Sequence, residues 1–233
     1  MNIALVGYGK MGEKIEELAL ERGHSISHKI NSHNKEEDWS NCDLAIEFSH
    51  PDAAVDNIYR AIESKTPIVV GTTGWHEKFD EIQLKIIETN GALFYASNFS
   101  LGVNIFYQIN QTLARLMSVQ NSYKVKIEET HHTQKLDAPS GTAIVLADQI
   151  IANHSAYSEW SMEAKEKNDI PIVSKRIDNV TGDHVIRYQN EIDNIEIKHS
   201  AKNRNGFALG AILAAEFLIN RKGIYSMNDL LNF

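Results

Sequence analysis

Residues 2–12 are Asn2-Ile3-Ala4-Leu5-Val6-Gly7-Tyr8-Gly9-Lys10-Met11-Gly12, a short apolar run that leads into the glycine pattern G-x-G-x-x-G. The apolar run predicts a β-strand, and Ile15, Leu18 and Ala19 then recur at helical spacing as far as Gly23. A strand, a glycine turn and a helix in immediate succession form the start of a βαβ unit. We therefore predict an α/β fold whose first domain is a Rossmann-type parallel sheet.

The glycines of this turn have separate tasks in such a unit. Gly7 allows the tight turn, Gly9 lets a pyrophosphate approach the backbone, and Gly12 lets the helix pack closely on the strand. The pattern alone is weak, and a purely structural turn is the alternative. Its place between a strand and a helix favours dinucleotide binding, with predicted contacts from Gly7, Tyr8, Gly9, Lys10, Met11 and Gly12.

Three further apolar runs, residues 44–48, 67–70 and 92–96, alternate with helical segments and predict more strands of the same parallel sheet. Ligands of such sheets bind beyond the carboxyl ends of the strands. Each loop at these ends, taken singly, could be only a turn. Their shared location predicts a cofactor cleft that also includes Gly71, Thr72, Thr73, Ala96, Ser97, Asn98 and Phe99.

The end of the second predicted strand, residues 24–30, leaves the choice of cofactor open. An Asp or Glu normally binds the adenosine ribose at this point, but the residue here is Asn31. Glu36, Glu37 and Asp38 further on look like a solvated acidic run. Lys29 and Lys35 are candidates to accept a 2′-phosphate, so the sequence predicts NADH, NADPH or both as cofactor.

The character of the chain changes after about residue 103. Val125 and Ile127 alternate with charged residues as in a half-buried strand, and strand patterns recur at residues 172–176, 184–189 and 192–199. We predict a second, α+β domain with a mixed open sheet. The predicted domains are residues 1–103 with 205–233 for dinucleotide binding, and residues 104–204 for substrate binding and oligomerisation. A sheet of this size in so small a domain often needs a covering partner, so a homo-oligomer is expected.

The densest group of reactive side chains lies in residues 129–143, Glu129-Thr130-His131-His132-Thr133-Gln134-Lys135-Leu136-Asp137-Ala138-Pro139-Ser140-Gly141-Thr142-Ala143. Ser140 is a good N-cap, and the apolar residues that follow predict a helix. The unpaired N–H groups of Gly141 and Thr142 at its start would bind an anion. With the cations at His131, His132 and Lys135, they predict a pocket for a small dicarboxylate.

His131 and Lys135 are four residues apart, a spacing that places them on one side of either a helix or an extended chain. Either side chain could therefore donate a proton to a bound intermediate. Two histidines in a polar loop are the plain structural alternative. No metal site is predicted, because no carboxylate or cysteine completes a familiar zinc-ligand spacing nearby.

The composition narrows the class of protein. The 233 residues are 42% hydrophobic and carry a formal charge of −8, which argues against a nucleic-acid partner or an anionic membrane. Cys42 is the only cysteine, so an intramolecular disulfide is excluded. The most apolar stretch, residues 210–219, is too short to span a bilayer and contains Glu216. These features predict a cytoplasmic protein.

Taken together, the motifs resemble the 4-hydroxy-tetrahydrodipicolinate reductase family, also called dihydrodipicolinate reductases, over nearly the whole chain. The shared motifs, in family order, are the glycine turn, Glu47-Phe48-Ser49, Gly71-Thr72-Thr73-Gly74, residues 96–104, residues 129–143 and residues 203–211. Residues 129–143 are the most specific of these. The resemblance implies NADH- or NADPH-dependent reduction of (2S,4S)-4-hydroxy-2,3,4,5-tetrahydrodipicolinate to tetrahydrodipicolinate, with loss of water, in lysine biosynthesis by the diaminopimelate pathway.

The same resemblance implies particular roles. His131 would be the proton donor or acceptor and Lys135 the second proton donor, while His132, Gly141 and Thr142 would bind the dicarboxylate. A homotetramer is also implied. The alternatives are another amino-acid-pathway dehydrogenase, against which the histidine pair and the Pro-Ser-Gly-Thr turn argue, and a non-catalytic NAD(P)H sensor, which would need no proton donors.

Overall fold

The computed structural model describes residues 1–34, 38, 41–163, 166 and 168–233. They form two compact units, Met1–Leu101 with Asn205–Phe233, and Gly102–Arg204. The elements in chain order are β1 (Asn2–Val6), α1 (Lys10–Glu21), β2 (Ser25–Ile30), β3 (Leu44–Glu47), α2 (Pro51–Glu63), β4 (Ile68–Val70), a single 3₁₀ turn (His76–Lys78), α3 (Phe79–Glu88), β5 (Ala92–Tyr95), α4 (Leu101–Met117), β6 (Lys124–His131), α5 (Gly141–Asn153), β7 (Glu159–Ser161), β8 (Asp169–Arg176), β9 (Gly182–Gln189), β10 (Asn194–Ala201), α6 (Asn205–Leu218), β11 (Gly223–Tyr225) and α7 (Met227–Leu231).

The first unit is built on a six-stranded parallel sheet in the order β11-β5-β4-β3-β1-β2. The chain leaves β1 toward β2 and then returns to β3 on the other side of β1. This reversal creates a crevice at the carboxyl ends of β1 and β3, where ligands of open α/β sheets bind. The predicted Rossmann-type parallel sheet is confirmed.

Strand alternation gives this sheet a core on each face. Ile3 and Leu5 of β1 pack on one face with residues of α1 and α6, whereas Ala4 and Val6 pack on the other face with residues of α2 and α3. The side chains of β1 are buried on both faces, as strands of a parallel sheet covered by helices should be.

Helix α3 and strand β11 of the first unit were not predicted from the sequence. Helix α3 buries Ile82 and Ile86, which are spaced by one helical turn. Strand β11 pairs with β5 through only three residues, from Gly223 to Tyr225. Such a short strand carries no periodic signal in the sequence, and only its pairing with the edge strand β5 identifies it as a strand.

The second unit contains a five-stranded mixed sheet in the order β10-β9-β6-β8-β7. Strand β6 runs parallel to β8 and antiparallel to β9. Val125 and Ile127 of β6 join a core formed with α4 and α5, while Lys126 and Glu128 lie on the opposite face. The predicted α+β character and mixed sheet of this unit are confirmed. None of the described helices is long and apolar enough to cross a membrane.

Candidate active site

The glycine turn between β1 and α1 has the shape that a pyrophosphate needs. Gly7 has φ +97°, and a Cβ there would lie 2.1 Å from the backbone oxygen of Phe48, so only glycine fits. A Cβ on Gly12 would lie 2.9 Å from the oxygen of Gly7, which shows how closely α1 approaches the turn.

Gly9 differs from these two glycines because open space lies over it: a Cβ there would meet nothing within 4 Å. Gly9 is also the N-cap of α1, and because glycine has no side chain, no side-chain hydrogen bond caps the first N–H groups of the helix. A helix start with free N–H groups and an uncovered backbone suits an anionic ligand. The turn therefore fits the diphosphate of a dinucleotide.

The remaining side chains of the turn have different surroundings. Lys10 is exposed, while Met11 packs against the core. The Tyr8 hydroxyl donates a hydrogen bond to Glu16 of α1. Only Lys10 of these three is directed to solvent.

The loop after β4 lies beside the end of β3. A Cβ on Gly71 would overlap the ring of Phe48, and the Thr72 hydroxyl accepts a 2.8 Å hydrogen bond from the backbone N–H of Ser49. Thr73 is exposed. The predicted convergence of these strand-end loops is therefore present in the first unit.

The loop after β5 is divided between surface and core. The backbone N–H of Ala96 donates to the oxygen of Val70, Ser97 is exposed, and Asn98 accepts from the N–H of Ser100. The side chain of Phe99 is 2% exposed and packs in the core. Phe99 could therefore meet a cofactor through its main chain only.

At the end of β2, the ribose-binding position is occupied by a tight turn. The Asn31 side-chain oxygen accepts from the backbone N–H of His33, and the backbone N–H of Asn31 donates to the side-chain oxygen of Asn34. Lys29 is held by Glu16, with the ammonium 2.7 Å from the carboxylate oxygen and 4.9 Å from the centre of the Tyr8 ring. Lys35, Glu36 and Glu37 lie outside the described residues, so the proposed acidic run and the role of Lys35 stay predictions.

In the second unit, His131 is the last residue of β6 and is 9% exposed. Its Nδ1 lies 2.5 Å from a carboxylate oxygen of Glu129, an ion-pair contact with a side chain that has no exposed area. Gly182 faces the other nitrogen, since a Cβ there would lie 3.0 Å from Nε2. The carboxylate therefore contacts the imidazole on its Nδ1 side, and residue 182, a glycine, places no side chain against its Nε2 side.

Arg176 is the second partner of Glu129. Its Nη1 lies 3.0 Å from the other carboxylate oxygen, and its Nε and Nη2 donate to the backbone oxygens of Lys135 and Asp137 at 3.3 Å and 2.6 Å. Burial opposes the charge of Glu129, yet hydrogen bonding from His131, Ser174, Ser140 and Arg176 holds the pKa of Glu129 well below its usual range.

His184 completes the cluster from β9, where the strand register places it opposite Glu129. Its ring lies edge-on to that of His131 with centroids 5.1 Å apart, and its Nε2 lies 3.1 Å from the hydroxyl oxygen of Ser140. Ser140 is the N-cap of α5, as predicted, and accepts from the N–H of Ala143. Contacts through His131 and His184 thus connect the end of β6 to the start of α5.

The sequence predicts His131 and Lys135 on one side of a single helix or extended segment, and the assumption of a single regular element is wrong. The strand ends at His131, and the chain then turns, with the N–H of Lys135 donating to the oxygen of His132. The spacing of four residues therefore spans a strand end and a turn rather than one regular element. Lys135 binds Asp137 through its ammonium at 2.7 Å, and its side chain is 22% exposed.

The three predicted carboxylate-binding residues flank this cluster. Gly141 is exposed, and a Cβ there would meet nothing within 4 Å, so the start of α5 is open. Thr142 is half-buried and hydrogen-bonds the hydroxyl of Tyr107, which lowers the pKa of Tyr107 against a larger rise from burial. The ring of His132 is half-buried.

Glu129, His131 and His184 each offer one metal-ligand atom, and these atoms lie within 4.8 Å of one another. The group has the composition of a divalent-cation site, which the sequence did not predict. However, Glu129 is already neutralised by Arg176 at 3.0 Å and contacts His131 through its other oxygen. We therefore interpret the cluster as a proton-handling network of the protein's own groups.

Sequence reasoning missed Arg176 and His184, and it named Glu129 only as the start of the segment. The alternation on β6 places Glu129 in the same buried row as Val125 and Ile127, which is a signal in the sequence itself. Arg176 and His184 come from other strands, and only the pairing register brings them to this row.

A Rossmann-type unit with an open glycine turn, followed by a unit with a buried acid–base cluster, defines a dinucleotide-dependent oxidoreductase. Comparison with known proteins narrows this class. The family models for the N-terminus and C-terminus of dihydrodipicolinate reductase match residues 26–99 and 102–231. The chain belongs to the dihydrodipicolinate reductase family.

The relatives support the same assignment. The 4-hydroxy-tetrahydrodipicolinate reductase of Christiangramia forsetii is 47% identical over 100% of this chain and 98% of its own length. That of Rickettsia rickettsii is 34% identical over 99% of this chain and 98% of its own length. The dipicolinate-bound dihydrodipicolinate reductase from Paenisporosarcina sp. TG-14 superposes with a TM-score of 0.77 at 19% identity, covering 97% of both chains, and so shares the fold.

The reaction of the family is the NAD(P)H-dependent reduction of 4-hydroxy-tetrahydrodipicolinate in lysine biosynthesis, and this is the function of the chain. The N-terminal domain of the family is the dinucleotide-binding domain. The resemblance stated from sequence motifs is thereby confirmed.

Proposed function

We propose that His131 and Lys135 supply the protons of this reduction, and that His132 and the start of α5 bind the two carboxylates of the substrate. The observation that carries the proposal is the contact of His131 with the buried carboxylate of Glu129. A buried carboxylate that touches an imidazole orients the ring toward a bound substrate.

The chemistry requires such groups. The substrate gains a hydride and a proton and loses water, and the bound nicotinamide supplies the hydride. A proton must reach the substrate as the hydride arrives, and the departing hydroxyl group leaves as water. General acids contribute about 10² to 10⁴ in rate to steps of this kind.

The anion-binding part of the proposal rests on the start of α5. Ser140 caps the helix, and the exposed Gly141 leaves its first N–H groups approachable. Together with the cation of Lys135, these N–H groups suit a carboxylate. Dipicolinate is bound in the Paenisporosarcina enzyme and is a planar dicarboxylate, so it is a suitable probe for this site.

The test combines turnover with binding. NADH and NADPH oxidation is followed at 340 nm, with the substrate generated in place from pyruvate and aspartate semialdehyde by an added synthase. We expect Lys135→Ala and His131→Asn to lower kcat by about 10² to 10⁴ while the far-UV spectrum stays unchanged. Gln134→Ala, an exposed change in the same turn, should retain full activity.

Binding separates the roles of the residues. His132→Ala and Thr142→Ala should weaken dipicolinate binding in calorimetry, whereas NADH binding should be unaffected in both variants. Full turnover by Lys135→Ala and His131→Asn would contradict the assignment of the proton donors.

We further propose that the chain is a cytoplasmic homotetramer that uses both NADH and NADPH. The biosynthetic reaction supports the compartment, and the exposed charged face of the five-stranded sheet supports self-association. Asn31, in place of an acidic ribose ligand, supports dual use of the cofactors, because it removes the group that repels a 2′-phosphate.

A further inference from the structure

Glu129 occupies an unusual place in the second unit. It is fully buried, in the same row of β6 as the apolar Val125 and Ile127. Taking a carboxylate out of water costs several kcal/mol unless charged partners and hydrogen bonds compensate. An apolar side chain at this position would extend the core as its neighbours do, so packing does not account for the carboxylate.

The two oxygens of Glu129 have different partners. One lies 2.5 Å from Nδ1 of His131, and the other lies 3.0 Å from Nη1 of Arg176. The guanidinium continues through its Nε and Nη2 to the backbone oxygens of Lys135 and Asp137. A single carboxylate therefore connects the imidazole to the backbone of the segment that carries the lysine.

We propose that Glu129 is a positioning residue of the reaction: it fixes the ring of His131 and, through Arg176, sets the place of Lys135 relative to that ring. This inference rests on the proposed roles of His131 and Lys135. It adds Glu129 and Arg176 as the groups that hold the two proton donors at a fixed place relative to each other. Neither residue contacts substrate or cofactor in this proposal.

The arrangement has a chemical consequence. A carboxylate held beside Nδ1 favours a proton on that nitrogen, which leaves Nε2 as the nitrogen available to a reacting group. The edge-on ring of His184 supports the imidazole from a second direction, 5.1 Å away. His131 is thus held by a charge on one side and by a ring on another.

The test uses Glu129→Gln and the double variant Glu129→Gln with Arg176→Gln, in the full chain. Removing only one partner leaves a buried charge and could unfold the unit, whereas the double variant removes both charges. Glu159→Gln, an exposed glutamate on the edge strand β7 of the same sheet, is the matched control.

We expect kcat to fall about 10- to 100-fold in the Glu129 variants, as is typical when a partner that orients an imidazole is removed. Dipicolinate and NADH binding should change by less than a factor of about 3. The ¹⁵N NMR signals of the His131 imidazole should also show a change of tautomer, which a merely structural role of Glu129 would not produce. The control should match the unchanged protein in all three measurements.

The outcomes distinguish the two levels of the proposal. If His131→Asn and Lys135→Ala are fully active, the proposed function fails whatever Glu129 does. If those variants are inactive, but a folded Glu129 single or double variant keeps native kcat and the native His131 spectrum, the positioning role of Glu129 is overturned. Loss of kcat with unchanged ligand binding in the double variant supports it.

Discussion

At the scale of single residues, burial decides the charge of His184. Its side chain is 4% exposed, and burial, followed by repulsion from His131, lowers its pKa to about 4. The native protein therefore holds His184 neutral over the range in which a histidine of the unfolded chain, with a pKa of about 6.5, takes up a proton. Stability linked to this residue is present above pH 6.5 and is lost as the pH falls toward 4.

We expect His184→Gln to reduce the loss of stability on acidification. The fall of the pKa from about 6.5 in the unfolded chain to about 4 in the native protein corresponds to up to about 3 kcal/mol at pH 4. Urea unfolding of both proteins at pH 7 and at pH 4.5 measures the effect. Equal losses of unfolding free energy between the two pH values would show that His184 is not the group responsible.

The pairing of Lys29 with Glu16 is a second single-residue feature, and it bears on the preference for NADPH or NADH. The ammonium is bound by Glu16 at 2.7 Å and lies over the Tyr8 ring, next to the turn that holds the end of β2. The hydrogen bond from Lys29 lowers the pKa of Glu16, so the carboxylate stays charged. A 2′-phosphate at this end of the sheet would therefore meet a lysine whose charge is already compensated.

Glu16→Gln should raise the ratio of kcat/KM for NADPH to that for NADH by up to about 5-fold, since freeing an exposed cation is worth up to about 1 kcal/mol. Glu17→Gln, which breaks the pair with Lys14 on the same helix, should leave the ratio unchanged. A change in NADH kinetics alone, with no gain for NADPH, would rule out this role of Lys29.

At the scale of elements, the glycines of the first unit divide into those that serve folding and those that serve ligand approach. A Cβ on Gly210 of α6 would lie 1.8 Å from the oxygen of Phe99, so the helix cannot keep its place with a larger residue there. Gly9 has φ −121°, which any residue adopts, and open space over its Cα.

Gly9→Ala and Gly210→Ala should therefore have opposite effects. We expect Gly9→Ala to retain native stability and to weaken NADH binding at least about fivefold, because its methyl group occupies the space of the pyrophosphate. Gly210→Ala should lower the free energy of unfolding by about 1–3 kcal/mol or more. Calorimetric titration with NADH and urea unfolding of both variants provide the comparison. Tight NADH binding by Gly9→Ala would contradict the proposed cofactor site.

At the scale of the whole molecule, the five-stranded sheet presents one face to the α4 and α5 core and a charged face away from it. On that face Glu128 pairs with Lys175 and Lys126, which lower its pKa to about 2, and Arg187 pairs with Glu196. The edge strand β10 has mostly exposed side chains. The outer row of backbone N–H and C=O groups of an edge strand can pair with another copy of the chain.

Sedimentation velocity should therefore show a tetramer at micromolar concentration. Arg187→Glu, which reverses a charge at the centre of this face, should shift the protein to smaller species. Lys78→Glu, an exposed change on the first unit, should not. A monomer in the unchanged protein would refute the proposed assembly.

The features predicted best are those encoded within a few neighbouring residues. The glycine turn, the N-cap at Ser140 and the alternation of Val125 and Ile127 all depend on local backbone geometry or on a period of two. The sequence pattern predicts a strand over residues 123–129, whereas β6 continues to His131, because Thr130 and His131 carry no apolar signal. Their strand character comes from the pairing with β8 and β9.

The sequence by itself determined the parallel sheet, the open glycine turn and the presence of His131, His132 and Lys135 before a helix start, since each is written in local spacing. Only the tertiary structure decided that Glu129 is buried between His131 and Arg176, and that His184 lies beside them. Glu129 and Arg176 are 47 residues apart, and strand register, set by the packing of the entire sheet, brings them together. The reactive groups are therefore local in the chain, whereas the partners that orient them are not.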